Sequence, residues 1–252
     1  MFRNLLSRLK HGTEGLNYGR DIVLTWSVES ARRLSLDTIT ILDIGVGKGV
    51  DLLNVKSALA AIPKQVELLG VECYEPNVQL ARTNGITVFS VNIEYEAIPL
   101  QAGSIDLLIA NQIVEHTKEL FWIFSEISRV LKPGGQAIVG VPNLASLHNR
   151  IMLLLGEQPS SIELLGPHVR GFTRPAFTRF ITCEDFFEVK EVKGSNFYPF
   201  PPTASKVLSK AMPTLSVGLF FLIERSHKKG CFIEILDSRF YETPYFRGKT
   251  IT

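Results

Sequence analysis

The sequence predicts an α/β fold: a mostly parallel sheet with helices on both faces, ending in a C-terminal antiparallel strand pair. Three observations lead there. From Thr38 onward, short apolar runs alternate with helix-period patterns. Glycines 45, 47 and 49 cluster where the first strand hands over to the first helix. Beyond Pro142 the alternation weakens and leaves two further strand-like runs. Strands separated by helix-length segments need crossover connections, which are right-handed and cover the sheet on both sides.

Each element has a local reason. Ile39 to Ile44 reads as a buried strand, ended by the glycines. Val50 to Ala61 carries apolar residues at 52, 53, 55, 59 and 60, the spacing of a helix closed by Pro63. Val66 to Val71 is the second strand, and Glu75-Pro76 opens a helix with proline at a permitted early position. Ile86 to Val91 and Ile105 to Ala110 are the third and fourth strands. Leu120 to Leu131 is a helix, and Gln136 to Val141 a fifth strand after the Lys132-Pro-Gly-Gly135 turn. Val189 to Phe197 and Val217 to Glu224 read as the last two strands. Between them, Tyr198 through Pro213 is too proline-rich for a strand interior.

The 252 residues allow one large domain or two small ones. We read a helical extension or cap over 1–37, one main domain over 38–229, and a tail over 230–252. Hydrophobic residues at 45% and charged residues at 21% argue against disorder. A net charge of +2 supplies no field for a nucleic-acid partner. The 16 phenylalanines point to a large core or an apolar pocket. No run is long and apolar enough to span a bilayer, and no secretory signal pattern is seen. Three widely spaced cysteines without CxxC spacing suggest reduced thiols and a cytoplasmic location.

The segment Asp43-Ile-Gly45-Val-Gly47-Lys-Gly49 lies at the carboxyl end of a strand, where open α/β sheets bind ligands. A dinucleotide fingerprint needs a third glycine where Val50 stands, so a nucleoside-type ligand without a diphosphate is preferred. Glu72, at the end of the second strand, has the carboxylate needed to accept hydrogen bonds from two adjacent ribose hydroxyls.

At this point the chain resembles the class I S-adenosylmethionine-dependent methyltransferases, of small-molecule type, from about Thr38 to Pro142. Ile41-Leu-Asp-Ile-Gly-Val-Gly-Lys-Gly49 is similar to their first motif, and Leu69-Gly-Val-Glu72 to the strand whose final acid holds the ribose. Gly103 through His116 resembles the fourth strand and the loop beyond it. Arg129-Val-Leu-Lys-Pro-Gly-Gly135 with Val141-Pro-Asn143 resembles the connection around the fifth strand. The resemblance implies a Rossmann-like sheet and S-adenosylmethionine as cofactor. By position it places Asp43, Gly45 and Gly47 at the methionine part and Glu72 at the ribose. It places Asn92 and Ile93 around the adenine, where Asn92 departs from the usual acid, and Asn111 near the sulfonium end.

Methyl transfer needs donor and acceptor held in line in a dry pocket, and a hydroxyl acceptor gains from a general base. His116 and His168 are the candidate bases, with His148 behind them, and Glu115 is a candidate to orient its loop. No HExxH or clustered Asp/Glu/His spacing is present, so no metal is expected. Phe2, Leu5, Leu6 and Leu9 lie opposite Arg3, Arg8 and Lys10, a basic amphipathic face that either caps the site or touches a membrane surface. The expected function is methyl transfer to a small organic molecule or glycoside at a hydroxyl oxygen. The alternatives are a lipid-linked saccharide or a protein as acceptor, a non-catalytic cofactor-binding sensor or partner subunit, or a dinucleotide oxidoreductase.

Overall fold

The computed structural model describes residues 19–239, 241–242 and 244–248. The basic amphipathic face at Phe2 to Lys10 lies outside the described residues. Seven strands form one sheet: β1 (Thr38–Ile44), β2 (Gln65–Glu72), β3 (Thr87–Ser90), β4 (Ile105–Asn111), β5 (Leu131–Pro142), β6 (Phe187–Ser195) and β7 (Gly218–Arg225). Their order across the sheet is β3-β2-β1-β4-β5-β7-β6. The first five run parallel, and β7 pairs antiparallel with both β5 and β6. The fold is therefore the mixed α/β sheet the alternation predicts. The chain steps outward from β1 to β3 and returns to β4, so the strand order reverses at β1/β4. A crevice opens there beyond the carboxyl ends of those strands.

The helices are α1 (Arg20–Arg33), α2 (Val50–Leu59), α3 (Glu75–Thr83), α4 (Leu120–Val130), α5 (Leu147–Leu154), α6 (Arg174–Ile181) and α7 (Pro202–Ala211). The proline-rich stretch after β6 becomes α7. Pro202 sits in its first turn, where the missing N–H has no intrahelical partner to lose.

Two apolar clusters form, one per face of the sheet. On one side Val23 and Trp26 of α1 join Leu52 and Val55 of α2 and Val78 of α3 against β1 and β4. Trp26 is completely buried, donates to Glu191 Oε2 on β6 at 2.9 Å, and lies under the Lys193 ammonium. On the other side Phe124 of α4 has ring neighbours Phe177, Phe180, Phe187 and Phe232, with centroids 5.0 to 6.0 Å away. The phenylalanine excess therefore fills this core. Phe232, Ile235 and Leu236 of the C-terminal segment are buried, and Phe232 is part of the same cluster. No helix among the described residues is long and apolar enough to cross a membrane.

Candidate active site

The buried end of β1 delivers Asp43 to the crevice, and the chain then turns through glycines with left-handed backbone into α2. Gly47, at φ +52°, would project a Cβ into open space, with nothing nearer than the Gly45 carbonyl oxygen at 4.0 Å. A side chain there would occupy the crevice. The loop is held to β2 by Gly45 and Val46 N–H groups donating to Val71 O at 2.8 and 3.1 Å. A cleft of about 510 Å³ results, within the range of small-molecule sites. Arg20, Asp43, Gly45, Gly47 and Asp51 line one side, and Asn111, Glu115, His116 and His168 the other.

The cleft is acidic. Burial, then the charges of Asp51 and Glu72, push the Asp43 carboxyl well above its ordinary range, against the pull of Arg20. Arg20 Nε lies 3.2 Å from Asp51 Oδ1, and Asn111 donates to Asp51 Oδ2 at 3.0 Å. Asp51, held by Arg20 and Asn111, keeps a negative charge beside Asp43 and Glu72, a setting that favours a cationic ligand. Arg20 and Asp51 belong to helices whose local sequence carries no site signal. α1 brings Arg20 across by packing on α2 and on the β4 and β5 strands.

Glu72 ends β2 beside the loop. Its Oε1 accepts from the Cys73 and Tyr74 N–H groups at 2.9 Å each, and its Oε2 from Gly47 N at 3.1 Å and Asn77 Nδ2 at 3.4 Å. A carboxylate offers about four lone-pair directions, so a ribose diol competes with the two longer bonds. Asn92 and Ile93 lie in the turn after β3, two and three residues beyond Ser90, which pairs with Glu72, and they do not line this cleft. The Asn92 side chain is exposed and its Oδ1 accepts from Glu94 N at 3.0 Å, while Ile93 packs against the phenylalanine-rich core.

Beyond β4 the chain passes Gln112 at φ +56° and turns Glu115 inward. The Glu115 side chain is fully buried, and its Oε2 has no hydrogen-bond partner among the described residues. Burial raises its carboxyl from 4.5 to about 8, with a backbone hydrogen bond opposing the rise. With the Gln112 amide nitrogen turned toward it, Glu115 Oε1 gains a donor at 3.3 Å.

His116 and His168 meet edge to face, with ring centroids 4.8 Å apart. His116 Nδ1 lies 3.3 Å from Pro167 O, and His168 Nδ1 lies 2.9 Å from Ser161 O. A carbonyl only accepts, so in both rings Nδ1 carries the hydrogen and Nε2 keeps its lone pair. Burial lowers the His116 proton affinity, the Pro167 bond opposes that, and His168 lowers it further. His148 is placed differently: its Nε2 meets Ser160 Oγ at 2.9 Å and its Nδ1 meets Ser146 Oγ at 3.2 Å. It does not line the cleft.

Comparison with known proteins bears on the fold and the kind of domain. Residues 42–139 match the family model described as a methyltransferase domain. The mitochondrial ubiquinone biosynthesis O-methyltransferase of Homo sapiens is 27% identical over 169 residues, covering 64% of this chain and 44% of that protein. The ubiquinone biosynthesis O-methyltransferase of Acinetobacter baylyi is 24% identical, covering 70% of this chain and 74% of that protein. The chain spans about half the length of the first curated relatives it matches. Among solved structures, the methyltransferase complexed with the Trm112 activator of Haloferax volcanii shares the fold. Its TM-score is 0.59 at 16% identity, over 91% of this chain and 97% of that one. An S-adenosylmethionine-dependent methyltransferase of Mesorhizobium loti gives 0.54 at 17% identity, over 82% of this chain and 100% of that one. The matched segment runs from β1 into β5, through the glycine loop, Glu72 and Asn111, and it is similar to a methyltransferase domain, while the chain as a whole shares the fold of S-adenosylmethionine-dependent methyltransferases.

Proposed function

We propose that the protein transfers a methyl group from S-adenosylmethionine to a hydroxyl oxygen of a small organic molecule or glycoside. One observation carries this reading: two imidazoles, each with its Nδ1 against a backbone carbonyl, line the same cleft as the glycine loop. The residues present suit the cofactor. Gly47 leaves its side open, Asp43 and Asp51 complement positive charge, and Glu72 stands at the strand end for a diol. When bound, S-adenosylmethionine supplies an electrophilic methyl group on sulfur. The chain's own part is positioning and proton handling. Gly47 N–H and Asn77 release Glu72 toward the ribose, Asn111 and Asp51 hold the loop face, and a neutral imidazole at His116 or His168 accepts the hydroxyl proton through Nε2. Leu164 and Leu165, fully exposed in the loop that carries His168, favour an apolar acceptor. The O-methyltransferase names of the curated relatives support oxygen as the methylated atom.

Calorimetry with S-adenosylmethionine, its demethylated product and NAD, followed by acceptor screening with an isotopically labelled methyl donor, tests the reading. Donor binding is expected, weakened at least about tenfold by Gly47→Arg or Glu72→Ala. Labelled methyl is expected on oxygen. Tight NAD binding with none for the methyl donor would refute it, as would labelling confined to nitrogen or carbon.

A further inference from the structure

Glu115, His116 and His168 bring one carboxylate oxygen and two imidazole nitrogens to within 4.8 Å of one another at the rim of the cleft. His116 Nε2 lies 4.0 Å from Glu115 Oε1. Three features distinguish this group from a chance surface cluster. The Glu115 carboxylate is fully buried, yet its Oε2 has no partner among the described residues. Both imidazoles donate their Nδ1 hydrogen to a backbone carbonyl, the outer hydrogen bond that orients metal-ligating histidines and leaves Nε2 free to coordinate. The two rings also come from loops far apart in sequence that are tied through the backbone: Val169 and Arg170 N–H groups donate to Glu115 O at 2.9 and 3.3 Å.

From this arrangement we propose that Glu115, His116 and His168 bind a divalent transition metal ion. Two imidazoles and one carboxylate suit zinc, cobalt, iron or manganese, whereas magnesium and calcium prefer all-oxygen shells. Metal–ligand bonds of about 2.0–2.2 Å place ligand atoms roughly 3 to 3.5 Å apart. Closing the present spacing therefore needs side-chain movement of about 1 Å, and His116, 37% exposed, has room for it. Three protein ligands leave at least one position open toward the cleft. The linear spacing hides the site, because His168 reaches it from another loop. One consequence rests on the methyl-transfer reading: a hydroxyl coordinated in the open position would lose its proton more easily, so the cation would take over the imidazole's role as activator. Metal binding itself does not depend on that reading.

The test is direct titration of the chelator-stripped full chain with Co²⁺, read by visible d–d absorption, and with Zn²⁺, read by calorimetry. A Cys73→Ser/Cys231→Ser background removes the exposed thiols. One equivalent is expected to bind, with affinity falling at least about tenfold in His116→Ala, His168→Ala and Glu115→Gln. Circular dichroism and melting of the metal-free variants establish that each is folded, and Glu115→Gln keeps the side-chain volume. Failure of both ions to bind up to about 1 mM overturns the proposal. So does zinc binding that is unchanged in folded His116→Ala and His168→Ala proteins, or Mg²⁺ binding as tight as Zn²⁺. Each of these readouts is independent of methyl transfer.

Discussion

Replacing Glu115 by glutamine should make the metal-free protein more stable at alkaline pH. The carboxyl is fully buried, and burial raises it from 4.5 to about 8. Between those values the native chain holds a proton that the unfolded chain has released. Stability therefore falls as pH rises through that window, by up to about 1.4 kcal/mol per pH unit. Below about 4.5 the group contributes nothing, and above about 8 the full penalty is in force. The whole rise corresponds to about 4–5 kcal/mol, an upper bound because local relaxation hydrates buried charges.

Glutamine keeps the shape and cannot ionise. Its buried NH₂ carries a cost of about 1–3 kcal/mol if unpaired, but that cost is the same at every pH. The slope of the wild-type minus variant difference is thus the clean quantity, and Asp43, whose carboxyl burial also raises, cancels from it. Urea denaturation of both proteins in chelator, from pH 5 to 9, gives that slope. The variant is expected to gain several kcal/mol on the wild type between pH 5 and pH 8.5. Parallel stability curves across the window would mean that Glu115 is ionised in the native state without penalty, and the reasoning fails.

Two further outcomes follow from packing. Phe232→Ala empties space beside Phe124, Phe180 and Phe187, and should cost about 3–5 kcal/mol in urea denaturation. A loss under about 1 kcal/mol would show that the C-terminal segment does not pack on this core in solution. Gly49→Ala meets both a φ of +84° and a direct overlap with the Ile86 Cδ1 atom, and should cost about 2 kcal/mol or more. Ile86→Val removes that methyl, so the double variant should recover the steric part and retain the backbone part. No recovery would mean that the clash is relieved elsewhere.

The strands were legible because each is an apolar run whose neighbours in sequence are turn residues, and every such run found its place in the sheet. Asp43, the glycine loop and Glu72 were legible for the same reason: they sit consecutively at strand ends, and the β1/β2 register brings those ends together. Asn92 and Ile93 were assigned by position alone, and the turn after β3 keeps the Asn92 oxygen on its own backbone. Arg20 and Asp51 carried no comparable signal, and Glu115 stood out only as a neighbour able to orient the His116 loop. A glutamate in a polar loop reads as solvated, and nothing in Val114-Glu-His116 says that the chain turns it inward. What turns it is a set of bonds to backbone atoms: Val169 and Arg170 to Glu115 O, and the His116 ring to Pro167 O. Every residue type carries the same carbonyl, so such bonds leave no trace in residue identity. The glycine-loop half of the cleft is therefore written in motifs. The half that holds Glu115, His116 and His168 exists only once the 160–172 loop has docked.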